Sequence, residues 1–317
     1  MPPLLLVVNK GNRTLQLLDP DAARSLGVVA LSGVTGHEVA VSPDGRRAFV
    51  PIYSDTGVGQ PGSDGRTIDV VDLAARRVVA TWDLGRPERP HAAHFAPDGR
   101  HLLVSTELSQ TITLVDTDTG AVVGRAPTGQ PESHMFTMTR DGRTAFTSNV
   151  GAGTVSVVDL RERRVDAVIP VCRRAQRIAL SADERWVFTS DQDAPRLAVI
   201  DAAARTFARW VPLPGVAYAS VPTPDGRFLV VVLRKSDAVC VLDLQTMDVV
   251  AALAVPPSPQ FALVRPDGRR AYVSCSASAA VVALDTAGWT IAATLAAGRG
   301  ADGLAWCEHF EYNLGHA

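Results

Sequence analysis

The sequence lacks most of the features that mark common classes of protein. Its four cysteines are far apart and form no CxxC pair, a spacing that fits neither a disulfide framework nor a zinc knuckle. No apolar run approaches the roughly 20 residues of a membrane-spanning helix, and the short apolar N-terminal run has no basic region before it, unlike a signal peptide. The formal net charge of −2 gives no reason to expect nucleic acid or an acidic membrane as a partner. We therefore expect a cytoplasmic protein that binds neither nucleic acid nor a membrane.

Sequence motifs that indicate a particular type of reaction or cofactor are missing as well. The chain has no Gly-rich phosphate loop, no GxSxG nucleophile turn, no HExxH zinc motif and no CxxCH haem attachment site. Any reaction has to come from residues that the fold brings together.

What the sequence does contain is a repeat. A short β-branched run ending in aspartate occurs seven times, and from Asp116 onward these aspartates recur every 42 or 43 residues. The seven are Asp19, Asp72, Asp116, Asp159, Asp201, Asp243 and Asp285. Between successive runs lies a turn such as "SPDGRR" or "TPDGRF", flanked by alternating apolar residues, which is typical of a β-hairpin. A period near 42 built from four short strands, A to D, predicts propeller blades.

The two ends of the chain indicate how the ring closes. The N-terminus begins with a B strand, "LLLVVN", and the C-terminus ends with an unmatched A strand, residues 301–308. We expect this last strand to pair with residues 4–9 and complete the first blade, which leaves no open sheet edge. The prediction is an all-β, seven-bladed β-propeller with four antiparallel strands per blade, forming one domain over 1–317 with a loosely held tail at 309–317.

The repeat resembles the YVTN-repeat propellers and their lactonase-like relatives. "SPDGRRAFVPIY", "RPDGRRAYVSCS" and "TVSVVDL" are close copies of that family's turn, B strand and C strand. The resemblance covers almost the whole chain and implies the fold. It implies no single activity, because such propellers include lactonases, lyases, electron-transfer subunits and binding scaffolds.

Candidate site residues come from one position of the repeat, seven residues before each turn aspartate, where strand A enters the central channel. The residues there are polar in every blade. They are His37, His91, His134, Gln176, Tyr218, Gln260 and, in the closing strand, Asp302. Three consecutive blades therefore supply histidine at one end of the channel.

Three histidines around a narrow channel predict a site for a divalent metal ion, because zinc is often held by three imidazoles with one position left open. Asp302 and Glu107 are candidates for a further ligand. Iron, manganese and copper suit such a ligand set as well, and the sequence does not choose among the four. The alternative is a cluster of solvated histidines without a function, in which duplication of a blade has copied a single histidine.

Together with this metal site, the resemblance implies a metal-dependent hydrolase of the lactonase type, or a lyase, that acts on a small polar or anionic molecule. Glu38 or Glu107 would move protons, and Arg89 or Arg177 would hold an anionic group of the substrate. The alternatives are a non-catalytic scaffold that binds a protein partner or another ligand, and a redox subunit.

One B–C connection, residues 53–67, is about 11 residues longer than its counterparts. Long loops in compact domains are often functional, so this loop is either a lid over the channel or a neutral insertion.

Overall fold

A computed structural model describes residues 3–308 and 310 of the chain. In this part of the chain, 28 strands form seven four-stranded antiparallel sheets. The innermost strands of the sheets, the A strands, are β4 (Ala40–Val41), β8 (Pro90–Phe95), β12 (Ser133–Met138), β16 (Ala175–Leu180), β20 (Ala219–Pro222), β24 (Pro259–Val264) and β28 (Ala301–Cys307). Each contacts the A strands of both neighbouring blades, from β4 round to β28 and back to β4, so the seven sheets close into a ring.

The B strands lie next outward in each sheet. They are β1 (Leu4–Asn9), β5 (Arg47–Ser54), β9 (His101–Thr106), β13 (Thr144–Asn149), β17 (Trp186–Asp191), β21 (Phe228–Leu233) and β25 (Arg270–Cys275). The C strands follow as β2 (Thr14–Asp19), β6 (Asp64–Asp72), β10 (Thr111–Asp116), β14 (Thr154–Asp159), β18 (Arg196–Asp201), β22 (Ala238–Asp243) and β26 (Ala280–Asp285).

The D strands form the rim. They are β3 (Arg24–Ala30), β7 (Arg77–Asp83), β11 (Val122–Pro127), β15 (Arg164–Pro170), β19 (Thr206–Pro212), β23 (Val249–Ala254) and β27 (Thr290–Ala296). The only helix in the described residues is a 3-10 turn, Arg234–Ser236, and none there could cross a membrane. Strands B and C are buried on both faces because they lie between neighbouring blades, whereas D strands such as β7 alternate between exposed and half-buried residues.

The repeated aspartates fix the turns. The carboxylate of Asp44 accepts hydrogen bonds from Ser42 Oγ and Arg46 N, and Asp225 accepts the same pair of bonds from Thr223 and Arg227. An aspartate that binds the backbone two residues onward stabilises a tight turn. The aspartates at the ends of the C strands make equivalent bonds to the next turn, as Asp72 does to Ala75 N.

The predicted ring closure is confirmed. β28 pairs antiparallel with β1, with Leu4 opposite Cys307 and Asn9 opposite Ala301, so that the first blade takes its inner strand from the C-terminus. Phe310 is buried in the core of this blade. The rest of the tail that we expected to be loose, 309 and 311–317, lies outside the described residues.

Irregularities in the inner strands determine which side chains enter the site. β8, β12, β16 and β24 each carry a bulge against the neighbouring B strand, next to His91, His134, Arg177 and Gln260 respectively. A bulge leaves one residue unpaired and turns its side chain away from the regular alternation. In three of these blades the bulge falls at the position seven residues before the turn aspartate, but in β16 it falls one residue later, at Arg177.

Candidate functional site

The three histidines predicted at the channel mouth lie against one another. His37 precedes β4, His91 lies in β8 and His134 lies in β12, so three neighbouring blades supply them. The ring centroids of His37 and His91 are 5.3 Å apart, and those of His91 and His134 are 3.8 Å apart. Tyr53, near the end of β5, contacts all three rings with centroid distances of 4.8, 4.8 and 5.5 Å. We call His37, His91 and His134 the histidine cluster.

Carboxylates lie behind two of the three imidazoles. His134 Nδ1 is 3.3 Å from Glu107 Oε2, and His37 Nδ1 is 3.8 Å from Asp302 Oδ2. His91 Nδ1 is buried and has no hydrogen-bond partner in the part of the chain that the structure describes. A carboxylate behind Nδ1 orients an imidazole and fixes its tautomer. Within residues 3–308 and 310, no hydrogen bond engages Nε2 of any of the three histidines.

The histidine cluster is uncharged at neutral pH. Burial, together with the charge of Lys10, lowers the pKa of His37 to about 3. Burial and the neighbouring histidines lower the pKa of His91 well below 6.5. Burial also lowers the pKa of His134, against the opposing effect of Glu107. Neutral imidazoles keep the lone pair that a metal ion or a proton needs.

The spacing of the cluster meets the requirement for a shared metal ion in part. An ion bound at 2.0–2.1 Å by two imidazoles lies about 3.2 Å from each ring centroid, which places tetrahedrally arranged centroids about 5 Å apart. The 5.3 Å between His37 and His91 matches this value, whereas the 3.8 Å between His91 and His134 is about 1 Å too short. Accordingly, among the described residues no group of three or more His, Cys, Asp or Glu side chains is arranged to hold a metal ion as it stands.

Glu107, expected as a ligand or a proton carrier, is saturated by donors. Its carboxylate accepts hydrogen bonds from Tyr53 Oη at 2.5 Å, Gly59 N at 3.2 Å and Arg89 Nη1 at 3.3 Å, in addition to its contact with His134. Burial opposes its ionisation, but the hydrogen bonds from His134, Tyr53 and Gly59 outweigh burial and lower the pKa of Glu107 to about 2. The structure therefore places Glu107 as an ionised anchor behind His134.

Arg89, expected to hold an anionic substrate group, is 4 % exposed and binds the long B–C connection instead. Its guanidinium donates to Asp64 Oδ1 at 2.5 Å and to the carbonyl of Gln60 at 2.6 Å. The connection is shorter than its sequence suggests, because β5 and β6 extend into it and leave only 55–63 as the loop. Gly59 in this loop has a φ of +67°, and a Cβ there would collide with the Glu132 carboxylate.

Arg177, the other candidate for an anionic group, is also buried and paired. It crosses the centre of the ring from β16 to Glu38, where Nη1 donates to Oε1 at 2.8 Å, and to Asp302, where Nη2 donates to Oδ1 at 3.2 Å. Its guanidinium lies 5.1 Å from the ring centroids of both Tyr218 and Phe261. Arg177 thus connects its own blade to four others at the centre of the ring.

The two carboxylates bound by Arg177 differ in charge. Burial raises the pKa of Glu38 to about 7, against the opposing effect of Arg177. Burial also opposes the ionisation of Asp302, but the charges of Lys10 and Arg177 outweigh it and lower the pKa of Asp302 to about 2. Lys10 Nζ is 2.9 Å from Asp302 Oδ2. Glu38 is therefore the carboxyl group of this network that can gain or lose a proton near neutral pH.

Above the cluster is an open cavity of about 760 Å³. His37, His91, His134 and Tyr53 form part of its wall, and loop residues from Asp55 to Gln60 form another part. The remaining wall comes from the N-terminal blade and from the fifth and sixth blades. It includes Lys10, Arg13, Arg174, Gln176, Tyr218, Arg234 and Lys235.

Sequence reasoning missed Tyr53 and Lys10. Lys10 directly follows the B strand β1, and Tyr53 is the next-to-last residue of the B strand β5, at the end of the ring where the histidines lie. A polar residue at the end of a B strand was a usable signal, because the B–C and D–A connections share that end. The same signal identifies Glu107 as a candidate.

No known protein family and no curated protein matches the chain by sequence. Solved structures do match in fold. Hydrazine synthase from Kuenenia stuttgartiensis matches with a TM-score of 0.77 and 19 % identity over 90 % of this chain and 92 % of that chain. The dihydro-heme d1 dehydrogenase NirN matches with a TM-score of 0.70 and 17 % identity over 95 % of this chain and 74 % of that chain.

A functionally unknown protein from Desulfotomaculum acetoxidans matches with a TM-score of 0.76 and 14 % identity over 96 % of this chain and 99 % of that chain. At these identities the likeness establishes the propeller fold and nothing about a shared reaction. Membership of the YVTN-repeat family stays a prediction from the repeat motifs.

Proposed function

We propose that the protein is an enzyme that acts on a small polar or anionic molecule in the cavity above the histidine cluster, with a divalent metal ion held by His37, His91 and His134. The observation that carries this proposal is the cluster itself: three uncharged imidazoles from adjacent blades, with their Nε2 atoms free of protein hydrogen bonds. Zinc, iron, manganese and copper all suit such a donor set. Binding would require the rings of His91 and His134 to move apart by about 1 Å.

The surrounding residues support this assignment of roles. Glu107 and Asp302 would act behind His134 and His37 as orienting groups, because each is fully engaged by other donors. Partners of this kind are typical of imidazoles that bind metals. When bound, the metal would polarise a carbonyl group or lower the pKa of a water molecule, as hydrolases and lyases require.

Proton transfer in this proposal falls to Glu38. Its pKa of about 7 lies close to the pH at which a general acid or base works best. Glu38 adjoins His37 in the chain, and its Oε1 is held by Arg177 at 2.8 Å. It is buried and does not line the cavity, so we assign it to holding a proton behind the site and not to direct contact with the substrate.

The cavity has a suitable size for a small molecule, since binding pockets for small ligands commonly measure about 300–1,000 Å³. Two of the structures with the same fold are named as enzymes, a synthase and a dehydrogenase, so propellers of this shape do support catalysis.

The test is turnover of lactones and small carboxylate or phosphate esters by protein purified without a histidine tag. Chelator-treated protein should be inactive and should recover activity with one of the four metals. His91→Ala should lower kcat/KM by about 100-fold or more, and His91→Ala combined with His134→Ala should lower it little further, because one missing ligand already disables a shared centre.

His94→Ala is the matched control. His94 lies on the same strand but packs against Phe136, with ring centroids 4.9 Å apart, and does not line the cavity. Equal activity in the chelated and the metal-loaded protein, or additive effects of the two histidine substitutions, would contradict the proposal.

A further inference from the structure

We infer that the cavity contains a dedicated subsite for an oxyanion, a carboxylate or phosphate group of the substrate, formed by Arg174, Lys235 and their cationic neighbours opposite the histidine cluster. This inference rests on the proposed function, because it names the class of substrate that binds in the same cavity. Its residues are different ones from those expected on sequence grounds, since Arg89 and Arg177 are buried in protein salt bridges.

Charge is distributed unevenly around the cavity. Six of its lining residues are cationic, namely Lys10, Arg13, Arg174, Arg177, Arg234 and Lys235, and two are anionic, namely Asp55 and Asp193. The histidines on the opposite wall are neutral. The whole protein has a formal net charge of −2, so this excess is local to the cavity. A concave wall of one sign concentrates ligands of the opposite sign.

Pairing within the protein does not account for these cations. Lys10 and Arg177 are compensated by Asp302 and Glu38. The other four cationic residues of the wall form no salt bridge with any residue between 3 and 308 or with 310. Of the two acids on the wall, Asp193 is paired with Arg173 outside the wall. Asp55 accepts a hydrogen bond from Ser63 N and interacts electrostatically with Arg13 without forming a salt bridge, so Arg174, Arg234 and Lys235 gain no partner from either acid.

The distribution of lysine points to the same wall. The chain has only two lysines, Lys10 and Lys235, and relies on arginine at all its other basic positions. Both lysines line this cavity. An ammonium group is a compact charge with three rotatable donors, whereas arginine presents a planar fork, and the combination suits an oxyanion approached from several directions.

One cation of this wall, Arg234, is held in place by an aromatic ring. Arg234 and Lys235 lie in the 3-10 turn Arg234–Ser236, and the Arg234 guanidinium stacks 5.0 Å from the centroid of Tyr218. Tyr218 also contacts Arg177, which binds Glu38 and Asp302. A substrate with an anionic end on this wall would direct its other end toward His37, His91 and His134.

The test is equilibrium binding of inorganic phosphate and of malonate to chelator-treated full-length protein, measured by isothermal titration calorimetry. We expect the wild type to bind one or both probes, and the double variant Arg174→Ala with Lys235→Ala to bind about tenfold or more weakly, from the loss of two charge-assisted contacts on a partly exposed wall. The control double variant, Arg46→Ala with Arg161→Ala, removes the same charge from exposed turns outside the cavity.

Preferential binding of phosphate or of malonate identifies which oxyanion the wall selects. The absence of binding to the wild type, unchanged affinity in the cavity variant, or equal weakening in the control variant would each overturn the inference. The binding test uses metal-free protein, so its result does not depend on the metal site. If the protein binds an oxyanion here but shows no metal-dependent turnover in the activity test, the proposed function is refuted and this subsite is retained.

Discussion

Removing the guanidinium of Arg177 should destabilise the protein strongly. Arg177 is 4 % exposed and bridges Glu38 and Asp302, so Arg177→Met leaves two buried carboxyl groups with less compensation. Breaking a buried ion pair from one side typically costs 3–5 kcal/mol. For 317 residues at about 2.1 cal/mol/K of unfolding entropy per residue, this cost corresponds to a Tm lower by about 5–7 °C.

A second variant, Glu38→Gln, separates the effect of charge on stability from the effect of packing. Arg177 lowers the pKa of Glu38, so in Arg177→Met the Glu38 carboxyl should be protonated at pH 7. Combining Arg177→Met with Glu38→Gln should therefore recover part of the lost stability in a double-mutant cycle followed by guanidinium unfolding. Arg66→Met is the control, since Arg66 pairs with Asp83 at 3.0 Å and both side chains are about half exposed, and it should cost about 1 kcal/mol or less. A cost for Arg177→Met as small as that of the control would refute the reasoning.

Three further predictions concern closure, the loop and pH. Deleting residues from Ala301 onward removes β28 from the first blade and should give insoluble protein or a large fall in Tm; a truncated chain as stable as the full one would contradict the closure. Replacing 55–63 by a short Gly-Ser turn should keep the fold but change ligand affinity or turnover, whereas an unchanged kinetic profile would make the loop a neutral insertion. In metal-free protein, His37 and Glu38 should have opposite effects on the free energy of unfolding. Because the pKa of His37 in the folded protein is about 3, its contribution falls as pH drops below 6.5. Because the pKa of Glu38 in the folded protein is about 7, its contribution rises as pH drops from 7 to 4.5. Urea unfolding between pH 6.5 and 4.5 should therefore show that, relative to the wild type, Glu38→Gln becomes less stable as the pH falls and His37→Asn becomes more stable. Each difference should change by at most about 1.4 kcal/mol per pH unit. Equal pH dependence of stability in all three proteins would contradict the assigned pKa shifts.

The fold was predictable from the sequence because it depends on local and periodic information. Turn aspartates such as Asp44 and Asp225 bind the backbone two residues away, so their spacing alone defined the hairpins. The unmatched strand at 301–308 indicated closure, since an inner strand without its blade has only one place to pair.

The inner-strand position was predictable only in part. Counting back seven residues brought His37, His91 and His134 together, but in the fifth blade the bulge shifts by one residue and sends Arg177 into the centre, while Gln176 stays on the cavity wall. A one-residue bulge leaves no trace in the hydrophobic pattern, and so periodicity cannot locate it.

The roles of the charged residues depended on contacts between distant parts of the chain. Arg89 reads as an exposed loop arginine in the sequence and becomes a buried clamp because the 55–63 loop folds onto it. Glu107 becomes an anchor for His134 through donors from three separate segments. Lys10 pairs with Asp302, almost the whole length of the chain away, and no local pattern indicates such a contact.

The most direct test of the account is the metal content of protein purified without a tag, exposed in turn to zinc, iron(II), manganese and copper(II) and dialysed, as determined by inductively coupled plasma mass spectrometry. We expect near-stoichiometric binding of one of these metals by the wild type and by His94→Ala, and its loss in His91→Ala. Wild-type protein that retains none of the four metals, or His91→Ala that retains as much as the wild type, would contradict a metal site at the histidine cluster.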